Sequence, residues 1–371
     1  MFRKATQPSQ GSASKASITE IASCQKSVRL HVGREAITPV RVEVLADFQR
    51  KATLPGFRKG KAPADLIERQ YGQSIHEETL QRVTKQAFEQ AAKEHALKPV
   101  GPFEVRKADF SETDGLTLEA TVEVEPAFTL AHYKGLALKQ ESAEVTPQER
   151  QDALKKLQES MAQMVPSGEG EAKQRQVPPL DDELAKDVGF ETLEKLAIHV
   201  EAKLREQKQS HQLQALEAAL CEELLKRHTF EVPPRLVSHQ TERLTRDFKV
   251  RLALSGTPED KLEEEVAKFT EQLRTSAERR VKLSFILDRI AEQESVTVAQ
   301  HELVERLWQL SQRWKKDPME VRKLFDAQQL WPSVVSAIRQ EKTVALLLAA
   351  AAIESMPPTA MASTSPASIT A

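Results

Sequence analysis

The chain has 371 residues, enough for two or three domains at the usual ~100–200 residues each, with 40% apolar, 29% charged and only 5% aromatic residues. With just 12 glycines as well, that balance favours long helices over sheet. A formal net charge of −2 excludes any global attraction to nucleic acid or anionic membrane, so such a contact would have to come from a local patch. Cys24 and Cys221 are far apart and have no metal-like spacing, which argues against a disulfide framework and for buried free thiols in a reducing compartment. No stretch reaches the roughly 18–20 apolar residues a membrane span requires, and Val344 to Ile353 reads as a buried helix end.

From the start of the chain, residues 1–18 read as a disordered tail. The first residues carry Arg3, Lys4 and Lys15 and no acid before Glu20, yet lack the apolar core and small-residue cleavage site of a secretory signal. Ser27 to Val32 alternates like a half-exposed strand. Pro39 is placed at the start of a helix whose Val40, Val44, Leu45 and Phe48 share a face, and Pro55-Gly56 ends it. Two further helical patterns follow, Leu66 to Tyr71 and Ile75 to Leu97. Phe103 to Phe110 and Leu116 to Val124 then read as paired strands, joined through the tight-turn chemistry of Thr113-Asp114-Gly115. Residues 19–131 are therefore expected to form a small α+β domain.

Everything after Thr146 reads as helix. Thr146-Pro147-Gln148-Glu149, Thr257-Pro258-Glu259-Asp260 and Asp317-Pro318-Met319-Glu320 each offer a cap, a first-turn proline and an early acid. Leu193 to Leu225 repeats leucine at spacings of three and four, which predicts one helix of about 50 Å. Val232-Pro233-Pro234 breaks it. Helices are predicted from there to Leu254, then over Glu259–Glu292, Ala299–Trp314, Pro318–Phe325 and Pro332–Ile353. Val165 to Pro179 is polar and helix-breaking, and reads as a linker within residues 132–179. Residues 180–356 make a mainly all-α domain, and 357–371, rich in Pro, Ala, Ser and Thr, read as a disordered tail.

One segment departs from the balanced charge. Arg50, Lys51, Arg58, Lys59 and Lys61 crowd together with no acid among them. Gly56 and Gly60 permit sharp turns around Phe57-Arg58-Lys59, and Pro55 and Pro63 stiffen the flanks. The glycine and lysine spacing of a nucleotide-phosphate loop is absent. On charge alone the run reads equally well as a solvated loop or as a docking element that meets phosphates with its cations and fills a pocket with Phe57.

The run Gly56-Phe57-Arg58-Lys59-Gly60-Lys61-Ala62-Pro63, followed by Ile67 and a Gln70-Tyr71-Gly72 turn, resembles the ribosome-docking signature of bacterial trigger factors. The similarity continues through Ala120–Pro126, Tyr133–Leu136, Leu180–Lys186 and Ile338–Thr343. The resemblance implies an α+β ribosome-binding domain, then an all-α chaperone domain with helical arms. Gly56 to Lys61 would contact the large ribosomal subunit beside the tunnel exit, through a ribosomal protein and ribosomal RNA. Unfolded nascent chains would be the other partner, held by apolar patches, and the setting would be cytoplasmic. An organelle stroma or matrix stays as the minor alternative, and a homodimer off the ribosome is left open. Phe248, Leu252, Phe269, Trp308, Trp314, Phe325 and Trp331, with Val250 and Leu254, are weak candidates for client contacts, core being the default for each.

Trigger factors usually carry an FK506-binding-protein-like prolyl isomerase domain, whose pocket is aromatic. No Phe, Tyr or Trp occurs from Lys134 to Gly189. The isomerase module is therefore expected to be missing. No cofactor is expected, since no ATP motif is present. His301-Glu302 lacks the second histidine of a zinc protease, and no nucleophile elbow occurs. The competing readings are a ribosome-independent holdase or assembly chaperone, and an active prolyl isomerase.

Overall fold

The structure is a computed structural model that describes residues 14–58, 60–111, 114–166 and 173–356. Residues 1–13, the tail expected over 357–371, and part of the linker and of the Thr113 turn lie outside the described residues, whereas residues 14–18, expected to belong to the N-terminal tail, form part of a strand that pairs with the next one. In chain order come β1 (Ser14–Ala22), β2 (Gln25–Val32), α1 (Arg34–Lys51), α2 (Ala64–Glu94), β3 (Glu104–Ser111) and β4 (Gly115–Glu123). Next are β5 (Ala137–Glu141), α3 (Pro147–Ser160), β6 (Gln163–Pro166), β7 (Lys173–Gln176), α4 (Asp182–Asp187) and α5 (Leu193–Arg227). The remainder is α6 (Pro234–Leu254), α7 (Glu259–Gln293), α8 (Gln300–Trp314), α9 (Pro318–Gln328), α10 (Trp331–Ala349) and β8 (Ala352–Met356). Among the described residues no helix is long and apolar enough to cross a membrane.

By contact the chain divides into two units, one of Met1–Thr129 with Thr229–Phe285, the other of Leu130–His228 with Ile286–Ala371. The first unit holds an antiparallel sheet of order β1-β2-β4-β3. In β2, Val28, Leu30 and Val32 alternate inward and stand opposite Ala120, Leu118 and Leu116 of β4, so one face of the sheet is apolar. Val40 and Val44 of α1 and Ile67, Ile75 and Phe88 of α2 close over that face. Gly115 opens β4 at φ +94°, where an added Cβ would lie 2.2 Å from the Val32 carbonyl oxygen. Only glycine fits there.

Three readings of this unit need correction. Pro39 does not start a helix: α1 begins five residues earlier, and Pro39 sits on its exposed face, where water can satisfy the backbone carbonyl that loses its amide partner. Leu66–Tyr71 and Ile75–Leu97 are one helix, with no turn at Gly72. Ile67 and Ile75 lie two turns apart and are both buried, and this continuous core face outweighs a glycine cost of about 1 kcal/mol. Finally, β1 precedes the first expected strand and pairs with β2 along its length. Its Ala16 and Ile18 pack only partly against the core.

In the second unit, α3 starts with a reciprocal capping box. The Glu149 amide donates to Thr146 Oγ1 at 3.3 Å and the Thr146 amide donates to Glu149 Oε2 at 2.8 Å. Leu154, Ala185 and Leu196 form the small core that α3, α4 and α5 share. Asp317 caps α9 by accepting from the Met319 amide at 2.7 Å, and Phe325 stands edge-on to both Trp314 and Trp331. The expected pattern of helices and a linker fails at two places. The polar stretch read as a linker has its ends in an antiparallel β6–β7 pair. The apolar run to Ile353 leaves the helix after Ala349, and β8 joins β5 as a parallel pair from Ala137↔Ala352 to Glu141↔Met356.

Candidate docking loop

The segment between α1 and α2 is shaped by its prolines and glycines. Leu54-Pro55-Gly56-Phe57 is a type II turn signature, with φ +85° at Gly56 and the Phe57 amide donating to the Leu54 carbonyl at 3.1 Å. A second turn is closed by the Lys61 amide donating to the Arg58 carbonyl at 2.9 Å, with Gly60 at φ +81°. Phe57 is 40% exposed although it is a large apolar side chain. Arg58 and Lys61 are exposed too, and neither has an ion-pair partner among the described residues. Lys59 lies outside the described residues.

The feet of the loop are apolar and packed, whereas its tip carries Phe57 and cations that are exposed. Ala62 is buried, and Ala52 and Leu54 pack partly against the sheet core. Gln49, in the last turn of α1, donates from Nε2 to the Ala62 carbonyl at 2.7 Å. Nearby, Asp47 pairs with Arg50 and, at 2.9 Å, with Arg82 of α2, and hydrogen bonds from these two guanidinium groups hold its carboxyl below the usual range. Arg82 also meets Glu78 at 2.8 Å. This brace fixes the two helices that present the loop. Of the clustered cations Arg50 is thus partly neutralised, while Lys51, Arg58 and Lys61 stay available to an external anion.

The weak client-contact candidates separate by exposure. Phe248 and Phe325 are buried, Phe248 standing edge-on to Phe269, so packing accounts for them. Leu252, Phe269 and Trp331 are half-buried. Trp308 and Trp314 are exposed, as are Val250 and, at 83%, Leu254 near the α6–α7 turn. Among the described residues no cluster of three or more His, Cys, Asp or Glu side chains could hold a metal ion. Gln49 was missed in the sequence because a lone polar residue in a helix carries no motif.

Two models of one family match this chain: bacterial trigger factor protein over residues 14–157, and the bacterial trigger factor C-terminus over residues 192–349. The chain belongs to the trigger factor family. It is 25% identical over 388 residues to the trigger factor of Shouchella clausii (strain KSM-K16), covering 81% of this chain and 89% of that one. It is 24% identical over 428 residues to the trigger factor of Anaeromyxobacter sp. (strain Fw109-5), covering 92% and 99%. A solved trigger factor chaperone, described for promiscuous substrate recognition in folding and assembly, overlays at TM-score 0.46 with 19% identity, covering 90% of this chain and 99% of that one. As a trigger factor the chain is a ribosome-associated chaperone. The N-terminal match contains the whole loop from Gly56 to Lys61.

Proposed function

We propose that this trigger factor docks on the large ribosomal subunit beside the tunnel exit through Gly56–Lys61 and shields nascent chains there without ATP and without isomerase catalysis. The observation that carries the reading is the exposure of Phe57 beside Arg58, a cation with no ion-pair partner among the described residues, on a glycine-framed turn whose feet pack against the sheet core. A buried aromatic anchor ringed by charge contacts is how a small loop gains both affinity and orientation. The cell compartment that supplies such a partner is the cytoplasm.

Clients are held by the exposed apolar side chains Val250, Leu254, Trp308 and Trp314. Scattered contacts of this kind bind many sequences weakly and release them without a nucleotide. The absence of isomerase catalysis is supported by the aromatic-free stretch from Lys134 to Gly189 and by the interval 158–191 between the two family matches. It is supported also by an alignment of 428 residues against a chain of 371, since the relative must then carry residues without a counterpart here.

Cosedimentation with purified ribosomes tests the reading. Replacing Phe57, Arg58 and Lys59 together by Ala should abolish it. Unchanged cosedimentation would put a ribosome-independent assembly chaperone in its place.

A further inference from the structure

The two turns of the loop are local. Their hydrogen bonds, Phe57 to Leu54 and Lys61 to Arg58, shape the tip but do not tie it to the helices that carry it. Orientation has to come from the feet. On the N-terminal side the Ala52 amide continues the α1 ladder by donating to Phe48 at 2.7 Å. On the C-terminal side Ala62 is buried, and the amides of Leu66 and Ile67 both donate to Pro63, at 3.2 and 3.3 Å. The Ala62 carbonyl, one residue earlier, takes the Gln49 side-chain amide at 2.7 Å. Gln49 precedes the loop and Ala62 follows it. This one side chain therefore closes the base of the loop like a clasp.

We infer that Gln49 is a positioning residue for ribosome docking, holding the loop closed at its base so that Phe57 and Arg58 are presented together before the ribosome is met. The inference rests on the docking reading above. Its physical content is preorganisation. A loop that is only fractionally in the competent arrangement binds more weakly in proportion to that fraction, with no contact to the partner changed. Only a donor can serve at position 49, because a backbone carbonyl has no proton to give. Glutamine has the reach for this from the last turn of α1, and it adds no charge between Asp47 and Arg50, which are already paired.

The test compares Gln49→Met, which keeps the length and loses the donor, with Gln49→Glu, which keeps the shape and also loses it, and with Phe57→Ala as the contact control. Gln49→Met should bind purified ribosomes about fivefold more weakly, the equivalent of one net hydrogen bond, and Gln49→Glu, which also sets a carboxylate against the Ala62 carbonyl, at least as much more weakly. The salt dependence of Gln49→Met should match that of the parent, because no phosphate contact is removed. Amide hydrogen exchange should quicken over residues 52–62 and stay unchanged in β2 and β4. If Gln49→Met binds like the parent while Phe57→Ala does not, the inference fails and docking stands. If neither variant weakens binding, the docking reading itself fails. Weaker binding with faster exchange across the sheet, or with no change in the loop, would also overturn the inference, the first marking general destabilisation and the second direct contact.

Discussion

The phenol of Tyr133 donates to Glu294 Oε1 at 2.6 Å, and the neighbouring Lys134 ammonium lies 2.7 Å from the same carboxylate oxygen. This joins the segment just ahead of β5 to the end of α7. Burial, then the Glu294 hydrogen bond, push the Tyr133 phenol up to about 12. Its folded-state value is raised, so its contribution to stability is complete below the ordinary phenol value near ~10 and is lost as pH rises toward about 12. Tyr133→Phe should cost about 1 kcal/mol in urea unfolding at neutral pH and flatten the alkaline loss above pH ~10. An alkaline limb identical to the parent's would mean that this phenol does not govern it.

The same carboxylate acts on the acid side. Hydrogen bonds from Lys134 and then Tyr133 hold Glu294 below the usual carboxylate range. Its contribution is therefore present above the unfolded value near ~4.3 and is lost as pH falls through the depressed one. Glu294→Gln should lower stability at neutral pH and make the acid-side loss shallower. Urea midpoints from neutral pH down to about pH 3 would check this across the unfolded carboxylate value.

Gly115→Ala places a Cβ against the Val32 carbonyl in a backbone region that L-residues avoid. A loss of more than about 2 kcal/mol is expected, from strain and clash together. The urea midpoint of the full chain is the measurement. Gly56→Ala, whose added Cβ meets nothing within 4 Å, should cost less despite its positive φ.

Phe57 and Arg58 should be distinguishable by salt. Arg58→Ala should weaken ribosome binding and lower the slope of log affinity against log salt by about one, as for a lost phosphate contact. Phe57→Ala should weaken binding with the slope intact. Equal slopes for both variants would argue against a phosphate partner for Arg58.

Leu254 is 83% exposed, so Leu254→Ser should leave stability within about 0.5 kcal/mol. Combined with Val250→Ser, it should reduce suppression of aggregation of an unfolded test protein. Proline-limited refolding should run at the uncatalysed rate with either form, and acceleration by the parent would defeat the proposal that isomerase catalysis is absent.

The turns of the candidate docking loop were legible because their signal is local. Proline and glycine at set offsets favour turns, and Gly56 and Gly60, read as permitting sharp turns, both adopt positive φ. Helix starts at Thr146 and Asp317 were legible for the same reason, since each cap reaches an amide two or three residues on. What escaped depends on partners distant in sequence. The run from Val344 onward looks helical to its end, and only β5, far back in the chain, makes its last residues a strand. Within the loop the same division holds: the tip was readable, whereas the Gln49 clasp is visible only once the chain has folded back on itself.

That dependence on distant partners sets an order for synthesis. Every strand of the β1-β2-β4-β3 sheet has been made once Glu123 emerges, so this sheet can pair while the rest is still being translated. The β5–β8 ladder cannot begin until Ala352 exists, more than half the chain after its partner Ala137. A protein that guards others as they leave the ribosome thus spends most of its own translation with β5 unpaired.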